Sequence, residues 1–192
     1  EGVPNSAQSY LLLSKYDGDL KEGIVEIVDL TNFDVLHTWN PDINQLNSMV
    51  DQVDEFKDLD RDNNNSRARL RHPKLTEDGG LLFRSGDGPI YKIDECSNLV
   101  FQVPNNVYHH SIETDIDGNI WAPSRLYPYS LPVIKVGADL SSKFMDDAIV
   151  KLSPDGEILF EKSVSQVLIE NDLEHLVFGG QSPEFYNDPV HL

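Results

Sequence analysis

The chain has 192 residues, enough for one domain or a large part of one. Its formal net charge of −18, from 33 acidic and 15 basic residues, repels nucleic acid and anionic lipid, so neither is expected as a partner. One cysteine, Cys96, excludes an internal disulfide, and no apolar run approaches the roughly 20 residues that a membrane-spanning helix needs.

The first residues, Glu1-Gly2-Val3-Pro4-Asn5, carry neither a basic n-region nor an apolar h-region. The chain does not begin with Met and stops at Pro189-Val190-His191-Leu192, so a processed or truncated product is expected. Tyr10 to Lys15 reads as a strand, Asp17-Gly18-Asp19 as a turn, and Gly23–Leu30 and Asp34–Trp39 as further strands. Pro41 to Phe56 places Ile43, Leu46, Met49, Val50, Val53 and Phe56 at helical spacing, with Asn40 as N-cap and Pro41 in the first helical position. Asp58, Asp60 and Asp62 then alternate, as oxygen ligands for Ca²⁺ do. Against that, Asn63 stands where an EF-hand loop has Gly and Arg69 where it has Glu, so a solvated polar loop is the other reading.

From His72 the pattern becomes short strands joined by Asp-Gly turns. Glu77-Asp78-Gly79-Gly80 leads into Leu81–Arg84, Ser85-Gly86-Asp87-Gly88 into Ile90–Ile93, and Asp94–Asn98 into Leu99–Val103. After His109-His110, the turn Asp115-Ile116-Asp117-Gly118-Asn119 precedes Ile120-Trp121. Tyr127–Lys143 is a long excursion, and Ser153-Pro154-Asp155-Gly156-Glu157 joins the strands Asp147–Leu152 and Ile158–Phe160. Gly accepts positive φ without steric cost and Asp bonds its own backbone, so Asp-Gly between apolar runs forms a tight hairpin. Ser165 to Phe178 reads as a second helix, ended by Gly179-Gly180.

Modules at about 9–40, 72–104 and 110–164, with helical insertions at 41–56 and 165–178, repeat with the period of four-stranded blades. The expected fold is all-β, a β-propeller with an incomplete set of blades. A β-sandwich would show less self-similarity.

In a propeller the innermost strands line a channel. Histidines at module starts, namely His72, the pair His109 and His110, and His191, would therefore converge. If they lie in a strand, His109 and His110 point to opposite faces. His37 and His175 read as structural or surface residues. Arg125, after Trp121-Ala122-Pro123-Ser124, offers a planar fork for an anion, or a partner for a nearby Asp. Asp115 and Asp117 read as turn residues. No phosphate loop, nucleophile elbow or CxxC is present.

Several of these stretches resemble the bacterial arylsulfotransferase family that uses no nucleotide sulfate donor. They are His72-Pro73 with Glu77 to Phe83, His109-His110-Ser111-Ile112-Glu113 with Asp117 to Arg125, Asp147 to Gly156, and Asp188 to Leu192. The resemblance implies a six-bladed propeller of which this chain is an N-terminal part, the remainder of that propeller being its partner. It implies a periplasmic or secreted location, small aryl sulfates and phenols as substrates, and no cofactor. It also implies transfer of a sulfuryl group through a histidine, with His110, His109, His191 and His72 as catalytic candidates and Arg125 as the substrate-binding one. A non-catalytic propeller that binds or assembles is the alternative, and a metal-dependent propeller lactonase or esterase is a third reading.

Overall fold

A computed structural model describes residues 7–50, 64–131 and 145–178. They form antiparallel sheets with few helices, an all-β fold. The chain divides into two compact units, Glu1–Pro104 and Asn105–Leu192.

The first unit opens with β1 (Tyr10–Asp17), β2 (Glu22–Asp29) and β3 (Val35–Trp39), an antiparallel sheet in that order. A short helix, α1 (Ile43–Ser48), follows. Then β4 (Leu70–Leu75), β5 (Leu81–Ser85), β6 (Gly88–Ile93) and β7 (Leu99–Tyr108) form an up-and-down meander, and β7 carries the chain into the second unit. The core holds Trp39, Ile43, Leu70, Phe83, Tyr91 and Ile93, all buried. Alternation places it there, since every second side chain of a strand meets the same face. Gly23 in β2 permits the close approach of residue 68. A Cβ at Gly23 would lie 2.3 Å from the Ala68 carbonyl oxygen.

The second unit contains β8 (Glu113–Thr114), β9 (Ile120–Arg125), β10 (Asp147–Leu152) and β11 (Ile158–Ser163), each antiparallel to the next. Two short helices, α2 (Val164–Glu170) and α3 (Glu174–Phe178), end the described chain. Val177 is buried against Leu131, with Tyr129, Leu168 and Ile169 around them.

Among the described residues one turn is used four times: Thr76–Gly80, Asp94–Asn98, Asp115–Asn119 and Ser153–Glu157. In each, the first residue's N–H donates to the fifth carbonyl at 2.8–2.9 Å, and the fourth residue's N–H donates to the first carbonyl at 3.0 Å. The fourth residue has positive φ: Gly79, Ser97, Gly118 and Gly156 at +80°, +67°, +78° and +87°. This is the three-residue hairpin loop that ends in a left-handed residue. The turns join β4 to β5, β6 to β7, β8 to β9 and β10 to β11. Within each meander they therefore share one end of the sheet, and the β5–β6 and β9–β10 connections share the other.

Asp115 shows how tightly such an end is held. Its carboxylate accepts from the Trp121 indole at 3.1 Å and from the Asn119 side chain at 3.0 Å, and pairs with Lys151 at 3.0 Å. Lys151 also lies 5.1 Å from the Trp121 ring centroid. Desolvation is the largest influence on this carboxyl and raises its pKa, but the combined donors hold it well below the usual 3.8. A depressed carboxyl stabilises the fold above its unfolded pKa, and that contribution vanishes as pH falls through the folded value. The stability of Asp115→Asn, measured by urea unfolding, should fall below wild type at pH 6, and the gap should close progressively on acidification below about pH 4. An equal gap at all pH values would refute this.

Both helices differ from expectation. The first spans Ile43–Ser48 rather than beginning at Pro41, because Asp42 is the N-cap and its carboxylate accepts from the Gln45 N–H at 3.0 Å. Asn40 instead donates its backbone N–H to Ser97 Oγ and its amide to Glu22. The remainder of the 41–56 expectation lies largely outside the described residues. The second helix is two, broken at Asn171-Asp172-Leu173, where Asp172 takes φ +59° and the Leu173 N–H turns back to the Leu168 carbonyl at 2.8 Å. Leu173 and Leu176 are exposed, and Val177 supplies the buried contact.

Candidate active site

The site grows from a break in strand pairing. Tyr108 pairs with Ser124, and Glu113 pairs with Trp121. Between these pairs four residues, His109 to Ile112, face two, Ala122 and Pro123, so the chain bulges between β7 and β8. The His109 N–H still reaches the Pro123 carbonyl at 3.2 Å, and His110 takes φ +57°. Bulges re-aim side chains, and the left-handed region is uncommon for a residue with a Cβ.

The histidine pair lies outside the strands, so the opposite orientation expected of a strand does not apply to it. The two rings meet edge to face with centroids 4.8 Å apart. Strand alternation holds only while the backbone stays extended, and His110 leaves the extended region.

The His109 ring is buried, and its Nε2 lies 3.0 Å from Asp147 Oδ1. Asp147 is 1 % exposed. The same oxygen is 4.0 Å from Arg125 Nε. Register accounts for the meeting: Val107 is opposite Arg125, and Arg125 is opposite Asp147, so these positions share one face. A carboxylate acceptor places the imidazole proton on Nε2 and leaves the lone pair on Nδ1. That Nδ1 is buried with no hydrogen-bond partner among the described residues. Behind this face, Tyr108 is buried, and desolvation followed by the charge of Glu161 pushes its hydroxyl pKa far upward.

The remaining candidates belong to the first unit or lie outside the described residues. His72 sits in the first unit, in β4, also at a register shift and also with positive φ, +47°. His191 and the Asp58, Asp60 and Asp62 set lie outside the described residues. Among the described residues no group of three His, Cys, Asp or Glu side chains could hold a metal ion. His37 packs edge to face on Trp39 at 4.3 Å, and His175 is exposed in α3. Asp115 and Asp117 are turn residues. The residue that sequence reasoning passed over is Asp147, read only as the start of a strand. Its signal was the Asp146-Asp147 pair directly before the apolar run Ala148-Ile149-Val150, because an acid on a buried strand requires a partner.

The family model for Arylsulfotransferase (ASST) matches residues 72–192, more than half of the chain. The chain belongs to the arylsulfotransferase family. A search of curated proteins found no match. The arylsulfotransferase match begins at His72 and includes the whole His109–Asp147–Arg125 cluster, the bulge and all four repeated turns.

Proposed function

We propose that this chain is part of an aryl sulfotransferase that moves a sulfuryl group between phenols through a histidine, on a propeller scaffold. The observation that carries the reading is the buried His109–Asp147 pair, set beside His110 and Arg125 in a chain of the arylsulfotransferase family. His110 is half-buried and carries the sulfuryl group, whereas His109 is the acid and base.

In the first half-reaction an imidazole nitrogen of His110 attacks sulfur. The N–S bond forms and the sulfur–aryl oxygen bond breaks. The departing phenolate takes a proton from His109, whose imidazolium Asp147 stabilises. In the second half, neutral His109 takes the proton of the acceptor phenol, whose oxygen attacks sulfur as the N–S bond breaks. Arg125 stabilises the charge that develops on the sulfuryl oxygens.

The test is transfer from 4-nitrophenyl sulfate to phenol by the full-length protein, followed as 4-nitrophenolate release. His109→Asn and His110→Asn should each cost about 10²–10⁴-fold in turnover. No turnover by wild type with a range of aryl sulfate donors would overturn the reading in favour of a binding or assembly module.

A further inference from the structure

Two buried acids adjoin in sequence and serve different partners. Asp147 meets His109. Asp146, 0 % exposed, closes a ring of hydrogen bonds. Its Oδ1 accepts from Ser163 Oγ at 2.8 Å, and its Oδ2 accepts from the Ser130 N–H. Ser163 Oγ in turn accepts from the Gln166 N–H at 3.1 Å as the N-cap of α2. Gln166 Nε2 donates back to the Ser130 carbonyl at 3.3 Å. The Asp146 carbonyl accepts from the Leu126 N–H at 2.8 Å, immediately after Arg125.

We propose that Asp146 is a positioning residue for His109, acting through Asp147. The proposal rests on the sulfuryl-transfer reading for its kinetic consequence. The physical case is that the ring ties three segments to the carboxylate of one residue. These are the start of the β9–β10 connection, the end of β11 and the first turn of α2. Asp147 follows that residue directly, so its direction toward His109 is set by how residue 146 is held. Arg125 is held from the other side, because Leu126 bonds the same residue. A charged acceptor suits this place because two donors, one hydroxyl and one amide, converge on it from separate segments. An amide at 146 would set its own N–H₂ against one of those donors.

The experiment compares Asp146→Asn, Ser163→Ala and Ser163→Thr in the full-length protein with 4-nitrophenyl sulfate and phenol. Thr keeps the hydroxyl that both caps α2 and donates to Asp146. Asp146→Asn and Ser163→Ala should lower kcat by about tenfold or more with KM within about twofold, since small misplacements of catalytic groups cost rate more than binding. Ser163→Thr should restore most of the loss. In ¹⁵N NMR the His109 ring nitrogens should shift in Asp146→Asn and Ser163→Ala and stay at wild-type positions in Ser163→Thr. Unchanged kcat and unchanged His109 resonances in the folded variants would overturn the proposal. A loss of rate that Ser163→Thr fails to restore would do the same. If Asp146→Asn does not fold, the two Ser163 variants decide. If wild type shows no turnover, the function reading fails by itself, and the NMR comparison still decides whether Asp146 positions His109.

Discussion

Asp147→Asn in the full-length protein should lower kcat for sulfuryl transfer by about 10²–10⁴-fold, with KM within about threefold. The substitution keeps the shape and removes the charge. Asp147 Oδ1 stands 3.0 Å from His109 Nε2, so the carboxylate selects one imidazole tautomer and, in the proposed transfer, would stabilise the imidazolium formed on deprotonating a phenol. An amide does neither with certainty, because it can turn its N–H₂ toward the ring and demand the opposite tautomer. The same oxygen lies 4.0 Å from Arg125 Nε, so the guanidinium also loses this charged neighbour. The loss belongs in kcat because a buried acid one residue behind the reacting groups does not touch the substrate. Initial rates across donor concentration, with urea unfolding as a control for folding, make the measurement. A variant that keeps kcat within about twofold would remove Asp147 from the mechanism.

Phe83→Ala should destabilise the first unit by about 3–5 kcal/mol, the range for an aromatic truncated in a core that cannot collapse around the gap. Phe83 is fully buried in β5 and stacks on Tyr91 with ring centroids 5.4 Å apart. Tyr91 in turn donates its hydroxyl to Asn47 Oδ1 at 2.9 Å inside α1. The ring therefore supports both a sheet face and the tie between sheet and helix. Relaxation into the gap would strain that buried hydrogen bond, so collapse is resisted from two sides. Phe83→Leu, which leaves less empty volume, should cost well under half as much. The midpoint and slope of urea unfolding check both values. A change below about 1 kcal/mol for Phe83→Ala would show that the core repacks freely.

The hairpins were legible because their causes are local. Asp115 bonds the backbone N–H groups two and four residues on, and Gly118 supplies the positive φ next to it, so five consecutive letters contain the whole turn. The helices were half legible. Periodicity marked Ile43 and Leu46, but the start depended on which of Asn40 and Asp42 turned its side chain inward, and Asn40 was already engaged by Glu22 and Ser97. The site was the least legible part. His109 and Arg125 stood out by residue type. Their common partner is 38 residues from His109, and the edge-to-face meeting of the two histidines depends on a bulge that no periodicity announces.

The left-handed backbone at His110 bears on how its chemistry should be probed. Asn and Asp tolerate that conformation better than other residues with a Cβ, whereas a β-branched residue there is a conformational outlier. His110→Asn therefore isolates the loss of the imidazole. His110→Val adds backbone strain on the order of 1–3 kcal/mol and confounds a missing imidazole with a straightened strand. The same logic extends to His72 at φ +47°. At both places a mutational scan reads conformational tolerance together with reactivity, and only the pair of Asn and Val substitutions separates the two.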